Sequence, residues 1–133
     1  MNLVLESILL VSENDTLRIN CAYQLFENYA RIDVTSSEDE ALELIWHEKF
    51  TALFVDSKFP FDSGLAKEAG YSQIPTYVLV DVREELFADD LVNSFNANGY
   101  FLIDEKNGGR FASLSDLHSL LYTRFDTEKK IFF

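Results

Sequence analysis

An α/β domain built on one doubly wound, five-stranded parallel sheet is the fold this sequence predicts, and three observations predict it. Short apolar runs alternate along the chain with segments whose apolar residues fall at helical spacing. The central runs, Ala52-Leu53-Phe54-Val55 and Tyr77-Val78-Leu79-Val80, are apolar without alternation, as in strands covered on both faces. Polar turns follow the runs and lead into helical segments, which suits parallel strands joined by crossovers.

The first strand is read at Ser7 to Val11, closing in Ser12-Glu13-Asn14-Asp15. Leu17 to Tyr29 follows as a helix, with Ile19, Ala22, Tyr23 and Phe26 at helical spacing. Arg31 to Thr35 is a brief second strand, and Ser37-Glu38-Asp39-Glu40 is a Ser-x-x-Glu capping box. It opens a helix through Trp46 that carries Ala41, Leu44 and Ile45 on one face. The third strand, Thr51 to Val55, ends on Asp56, and the loop Ser57 to Ser63 leads to a short helical piece, Gly64 to Ala69, closed by Gly70. Pro75 starts the fourth strand, Thr76 to Val80, which is followed by Asp81-Val82-Arg83 and a helix over Glu84 to Asn96. After Gly99, Tyr100 to Ile103 is the fifth strand. The turn Asn107-Gly108-Gly109 precedes a last helix with Leu114, Leu117, His118 and Leu121. Residues 1–125 are read as one domain and 126–133 as a C-terminal tail bearing Ile131-Phe132-Phe133. Right-handed crossovers place the strands in the order 2-1-3-4-5 of flavodoxin-like sheets.

Composition bounds the function. The 133 residues carry a formal net charge of −12, with 47% hydrophobic and 26% charged residues, the balance of a globular chain. So acidic a protein is a poor ligand for nucleic acid or anionic lipid, which require clustered Lys and Arg. The apolar runs are far shorter than the ~20 residues of a membrane crossing. The N-terminal residues lack a basic leader pattern, so a cytoplasmic address is expected. Cys21 is the only cysteine and falls in an apolar helical stretch, where it reads as core filler. No nucleophile elbow, Ser-His-Asp order, phosphate loop or zinc spacing is present, so no enzyme activity is expected, and His47 and His118 receive no role.

Ser12-Glu13-Asn14, Asp56, Asp81 and Asp104 each follow a strand, so they are expected at the carboxyl edge of the sheet, where open α/β folds place their sites. Carboxylates gathered there suit a hard divalent cation such as magnesium. The stretch from Ala52 to Leu65 resembles the signature of response-regulator receiver domains: an apolar strand ends in the phosphoacceptor Asp56, followed by Pro60, Gly64 and Leu65. The resemblance runs over about residues 6 to 125 and includes Ile8 to Asn14, Ile74-Pro75 and Gly99 to Ile103.

Several switch positions of that family are altered. Ser12 and Glu13 stand where the family has two acids, leaving Glu13 and Asp56 as the weak magnesium ligands the resemblance implies. Val80 replaces the Thr or Ser that ends strand four, and Asp104-Glu105 replaces Lys-Pro after strand five. Phe101 belongs with Ser12, Val80 and Asp104 among the degenerate switch positions. A unit-charge pair at ~4 Å is worth about 4 kcal/mol at an effective dielectric of 20, so an acid in place of the lysine opposes a phosphoryl group strongly. Lys106 and Lys58 are the candidates to replace that lysine. The span from Asp56 to Pro75 is short for the family and implies a shortened third helix.

The resemblance thus implies a pseudo-receiver, a signalling domain of two-component type that acts by protein-protein interaction without phosphorylation and requires no cofactor. Its partner would be a signalling kinase, an output protein or a second copy in a homodimer. Phe87, Phe95, Tyr100 and Phe101 are the candidate interface aromatics, with Trp46 also off the apolar faces. The alternative is an atypical receiver that takes phosphate on Asp56 with magnesium. A flavodoxin-like domain for another small ligand is the third reading.

Overall fold

The computed structural model describes residues 7–26, 31–59 and 64–112. Their order is β1 (Ser7–Val11), α1 (Asp15–Phe26), β2 (Arg31–Thr35), α2 (Glu38–His47), β3 (Ala52–Asp56), α3 (Leu65–Tyr71), β4 (Thr76–Asp81), a 3-10 segment (Val82–Phe87), α4 (Ala88–Phe95), β5 (Gly99–Asp104), a 3-10 turn (Glu105–Asn107) and β6 (Arg110–Phe111). The sheet runs β2-β1-β3-β4-β5-β6, and its first five members pair in parallel. The predicted flavodoxin-like order is therefore present, with one strand more than the sequence suggested. Gly108 and Gly109, at φ 86° and 79°, turn the chain back, and Arg110–Phe111 pairs antiparallel with Ile103 and Asp104.

Every residue of β3 and β4 is buried, as their unbroken apolar runs require. Alternation along the strands separates two cores. Leu9, Val11, Leu53, Val55, Val78 and Val80 face α2, α3 and α4, where Ala41, Ile45, Leu65, Ala69, Ala88 and Phe95 meet them. Ile8, Leu10, Phe54, Tyr77, Leu79, Phe101 and Ile103 face the other way, onto Leu17, Cys21 and Leu25 of α1 and onto Phe111 of β6. Phe54 is the hub of this second core, with ring centroids 5.5 Å from Phe101, 5.9 Å from Tyr77 and 5.9 Å from Phe111.

Three readings of the helices are corrected. In α1 the buried stripe is Leu17, Cys21 and Leu25, whereas Ile19, Tyr23 and Phe26 face solvent. Two apolar stripes compete on this helix, and the one set by Leu17 packs on the sheet. The expected helix over Glu84 to Asn96 is divided: Asp81 caps the 3-10 segment, Glu84 breaks its geometry at φ −111°, and only Ala88–Phe95 is α-helical. α3 passes through Gly70 to Tyr71, yet is only seven residues long, in keeping with a shortened third helix. Of the capping box read for α2 one half forms: the Ser37 side chain accepts the Glu40 N–H at 3.2 Å, while the Ser37 N–H donates to Thr35 Oγ1 at 3.0 Å in place of the Glu40 carboxylate. Pro60, the stretch to Tyr29, the last helix with His118, and the 126–133 tail lie outside the described residues.

The turn into β6 lies directly against α1. A Cβ on Gly109 would lie 2.9 Å from the Leu17 Cβ and 3.0 Å from its Cα, at a φ that L-residues avoid. Gly109→Ala is therefore expected to destabilise the fold by about 1–3 kcal/mol. The same change at Gly70, where a Cβ meets nothing within 4 Å, should be near neutral. Chemical denaturation of the two variants compares them directly.

Candidate functional site at the carboxyl edge

Strand register brings the predicted edge into line: Val11 pairs with Val55, Asp56 with Leu79, and Asp81 with Ile103. Ser12 follows Ile8 and Leu10, and Asp56 follows Phe54, so both side chains emerge on the α1 side. There they meet: the Ser12 hydroxyl donates to Asp56 Oδ2 at 2.7 Å in a buried contact. Asp56 Oδ1 accepts the Lys58 N–H at 3.1 Å, and the Asp56 carbonyl accepts the Phe59 N–H at 2.9 Å. Each carboxylate oxygen of this buried acid thus has a protein donor, as burial demands.

Ser12 is fixed in turn. Its hydroxyl accepts the Asn14 N–H at 3.0 Å, and Asn14 Oδ1 caps α1 by accepting the Leu17 N–H at 3.1 Å. Arg18 donates to the Ser12 carbonyl at 2.6 Å and pairs with Asp15. The side chain that meets Asp56 from the end of β1 is thus a neutral hydroxyl donor.

Asp81 and Asp104 lie at the same edge but direct their carboxylates elsewhere. Asp81, only 2% exposed, accepts from Arg83 Nε at 2.7 Å, from the Arg83 N–H at 3.2 Å and from the Glu105 N–H at 2.9 Å. Burial opposes its ionisation most strongly, but the Arg83 side chain, the two backbone donors and the Arg83 charge together outweigh it. The carboxyl is held below its ordinary pKa. Asp104 accepts from Asn107 Nδ2 at 2.6 Å. Val80 belongs to the core on the α2 side, away from Asp56, because the pleat alternates and β4 extends one residue further. The β4 residue presented on Asp56's side is therefore an acid, Asp81.

Lys58 spans the loops. Its ammonium lies 2.6 Å from Glu105 and 3.3 Å from Glu84, linking the segments after β3, β4 and β5. Partial burial disfavours the charge, yet the hydrogen bond and attraction from Glu105, then those from Glu84, outweigh it and raise the pKa. Lys106 is exposed, so of the two candidate lysines it is Lys58 that engages the edge acids. Its partners are Glu105 and Glu84, and the pairing crosses sequence separations that no local pattern signals.

Magnesium fits these residues poorly. Among the described residues no group of three or more His, Cys, Asp or Glu side chains is placed to hold a metal ion. Glu13 is exposed, and both Asp56 oxygens already accept protein hydrogen bonds.

The candidate interface aromatics separate. Phe87 and Trp46 are exposed, and Trp46 Nε1 donates to Glu68 at 3.1 Å. Tyr100 is half-buried against the α4-side core. Phe95 and Phe101 are buried in opposite cores, so neither forms part of a surface. Leu86, beside Phe87, is exposed and was missed because it reads as an ordinary helical leucine.

No protein-family model matches the sequence, and a comparison with curated proteins finds no match. Solved structures do match. A response regulator receiver modulated diguanylate cyclase from Pelobacter carbinolicus superposes with a TM-score of 0.71 at 21% identity, over 96% of this chain and 97% of that one. A two-component response regulator from Clostridium difficile gives 0.69 at 16% identity, over 90% and 98%. A response regulator receiver domain protein from Methanospirillum hungatei gives 0.62 at 20% identity, over 96% and 98%. The chain has the flavodoxin-like receiver fold. No helix among the described residues is long and apolar enough to cross a membrane.

Proposed function

We propose that this chain is a pseudo-receiver: a non-enzymatic, cytoplasmic signalling domain of two-component type that works by binding protein and not by cycling phosphate. The observation that carries this reading is the closed hydrogen bonding of Asp56, with Ser12 Oγ on one oxygen and the Lys58 N–H on the other. A phosphoryl group on Asp56 would displace one of these donors and would lie beside an edge where Asp81, Asp104 and Glu105 supply negative charge.

A conventional switch biases two coexisting packings. Here Lys58 already joins the loops by pairing with Glu84 and Glu105, which sets the edge in one arrangement without phosphate. The net charge of −12 supports a protein partner, a kinase or an output protein, over nucleic acid or membrane.

Incubation with a small phosphodonor, and separately with beryllofluoride, at millimolar magnesium tests the proposal. Intact mass and intrinsic fluorescence are expected to stay unchanged in both the wild type and Asp56→Ala. A phosphoryl mass increment or a magnesium-dependent spectral change that disappears in Asp56→Ala would establish a working, if atypical, phosphoacceptor.

A further inference from the structure

The dipeptide Asn-Gly occurs twice in the chain, at Asn98-Gly99 where β5 begins and at Asn107-Gly108 before β6. Such a pair carries latent chemistry. The side-chain amide carbon of the asparagine is within reach of the next residue's backbone nitrogen, and a glycine, lacking Cβ, lets that nitrogen approach most closely. The two copies stand in different settings. Asn98 is tied at its side chain and its backbone, since its Oδ1 accepts the Thr76 N–H at 2.9 Å and its own N–H donates to the Thr76 carbonyl at 2.8 Å. Gly99 is already in the sheet, in register with Tyr77. Asn107 ends a 3-10 turn and is exposed, and no donor among the described residues reaches its Oδ1. The Gly108 N–H is held by the Glu105 carbonyl at 3.3 Å, and Gly108 and Gly109 both lie at positive φ.

We propose that Asn107 is a self-modification site, where the chain converts its own amide to a carboxylate and thereby releases β6. In the first step Gly108 N bonds to Asn107 Cγ, the Cγ–Nδ2 bond breaks, and the proton lost by Gly108 N leaves with Nδ2 as ammonia. The product is a cyclic imide. Water then opens it: cleavage at Cγ gives aspartate, and cleavage at the main-chain carbonyl gives isoaspartate, in which the main chain runs through the former side chain. The sequence of steps consumes water, releases ammonia and transfers no electrons.

The surroundings of Asn107 fit neither product. Its Nδ2 donates to Asp104 Oδ2 at 2.6 Å, so a carboxylate there exchanges a donor for a like charge, with Glu105 close by in the same turn. Isoaspartate also lengthens the main chain by an atom next to Gly108, where even a Cβ would collide with Asn20 Nδ2. The turn and β6 are clasped to α1 by three bonds: Asn20 Nδ2 donates to the Gly108 carbonyl at 2.8 Å, Cys21 Sγ to the Gly109 carbonyl at 2.9 Å, and the Phe111 N–H to Gln24 Oε1 at 2.8 Å. Displacing the turn breaks this clasp, lifts β6 from Ile103 and Asp104, and withdraws Phe111 from the core it shares with Phe54. It also uncovers Cys21. This proposal is independent of whether Asp56 takes phosphate.

The full chain, aged at body temperature and mildly alkaline pH and then mapped by peptide mass spectrometry, should gather aspartate and isoaspartate at position 107 at least tenfold faster than at position 98. Asn107→Gln should abolish the conversion at 107, because its longer side chain would have to close a larger ring, while it keeps an amide for Asp104.

Cys21 supplies the second readout. In fresh protein it is buried beneath the turn, and burial, with the nearby Asp56 charge, pushes its pKa up to about 12, so a maleimide should label it slowly. Labelling should be severalfold faster in the aged chain, and unchanged between fresh and aged Asn107→Gln. An aged chain still intact at 107, conversion at 98 that keeps pace, or a chain converted at 107 whose Cys21 labels as slowly as before would overturn the proposal. So would an aged Asn107→Gln that labels as fast as the aged wild type.

Discussion

Phe54→Ala is expected to lower the unfolding free energy by about 3–5 kcal/mol, the range found when a fully buried phenylalanine is truncated. Phe54 is completely buried in the middle of the sheet, between β1 and β4. Its ring contacts three aromatic neighbours, two of them edge-on, and such pairs add about 0.5–1.5 kcal/mol each beyond burial. Strands on both sides hold the backbone in register, so the vacated space closes poorly. Against a typical total of about 5–15 kcal/mol, the loss should move the urea midpoint far to the left, and with it the balance between folded and unfolded chains at body temperature. Urea unfolding followed by far-UV circular dichroism measures it. A loss under about 1 kcal/mol would mean that the four rings do not pack as a unit.

The second large effect concerns Asp81 and depends on pH. Asp81→Ala leaves the partly buried Glu105 N–H without its acceptor and removes the anchor of Arg83, with an expected cost of about 1–3 kcal/mol at neutral pH. The folded carboxyl titrates below its unfolded value of about 3.9. Above that value both states are ionised and the stabilisation is fully present. As pH falls the unfolded chain protonates first, and the contribution is lost through the folded pKa. The gap between wild type and Asp81→Ala should therefore be widest near pH 6–7 and narrow steadily on acidification below about pH 4. Thermal unfolding at a series of pH values reads both effects. A gap that stayed constant into acid would show that the carboxyl is not held ionised by Arg83 and Glu105.

Much of the architecture was legible because it is dictated locally. The runs at Ala52–Val55 and Tyr77–Val80 leave no polar face, so they admit only the centre of a covered sheet, and Ser37 with Glu40 marks the start of α2 unambiguously. The buried side of α1 was not legible, since Leu17-Cys21-Leu25 and Ile19-Tyr23-Phe26 are both apolar stripes of helical spacing. Which one is buried depends on how the helix meets the sheet. The break after β4 was hidden for a related reason: Asp81 caps a tighter turn, an outcome that depends on Glu105 arriving from β5.

At the site, the convergence of Ser12 with Asp56 followed from strand ends alone. The side of the sheet that Val80 takes depended on a single residue of register, and the Lys58 bridge joins residues 26 and 47 positions apart. Such pairings are decided by the assembled fold, and a linear reading can only name their candidates.

The brief β6 matters beyond its two residues. An open sheet has two rims of unpaired backbone, each a template for another chain's strand. On one rim β6 occupies Ile103 and Asp104, and the Ala112 N–H takes the Leu102 carbonyl at 2.9 Å. On the other, β2 carries Arg31 and Asp33, paired at 2.9 Å. A two-residue strand on one border and an ion pair on the other are the kinds of edge that work against strand-by-strand pairing with another chain.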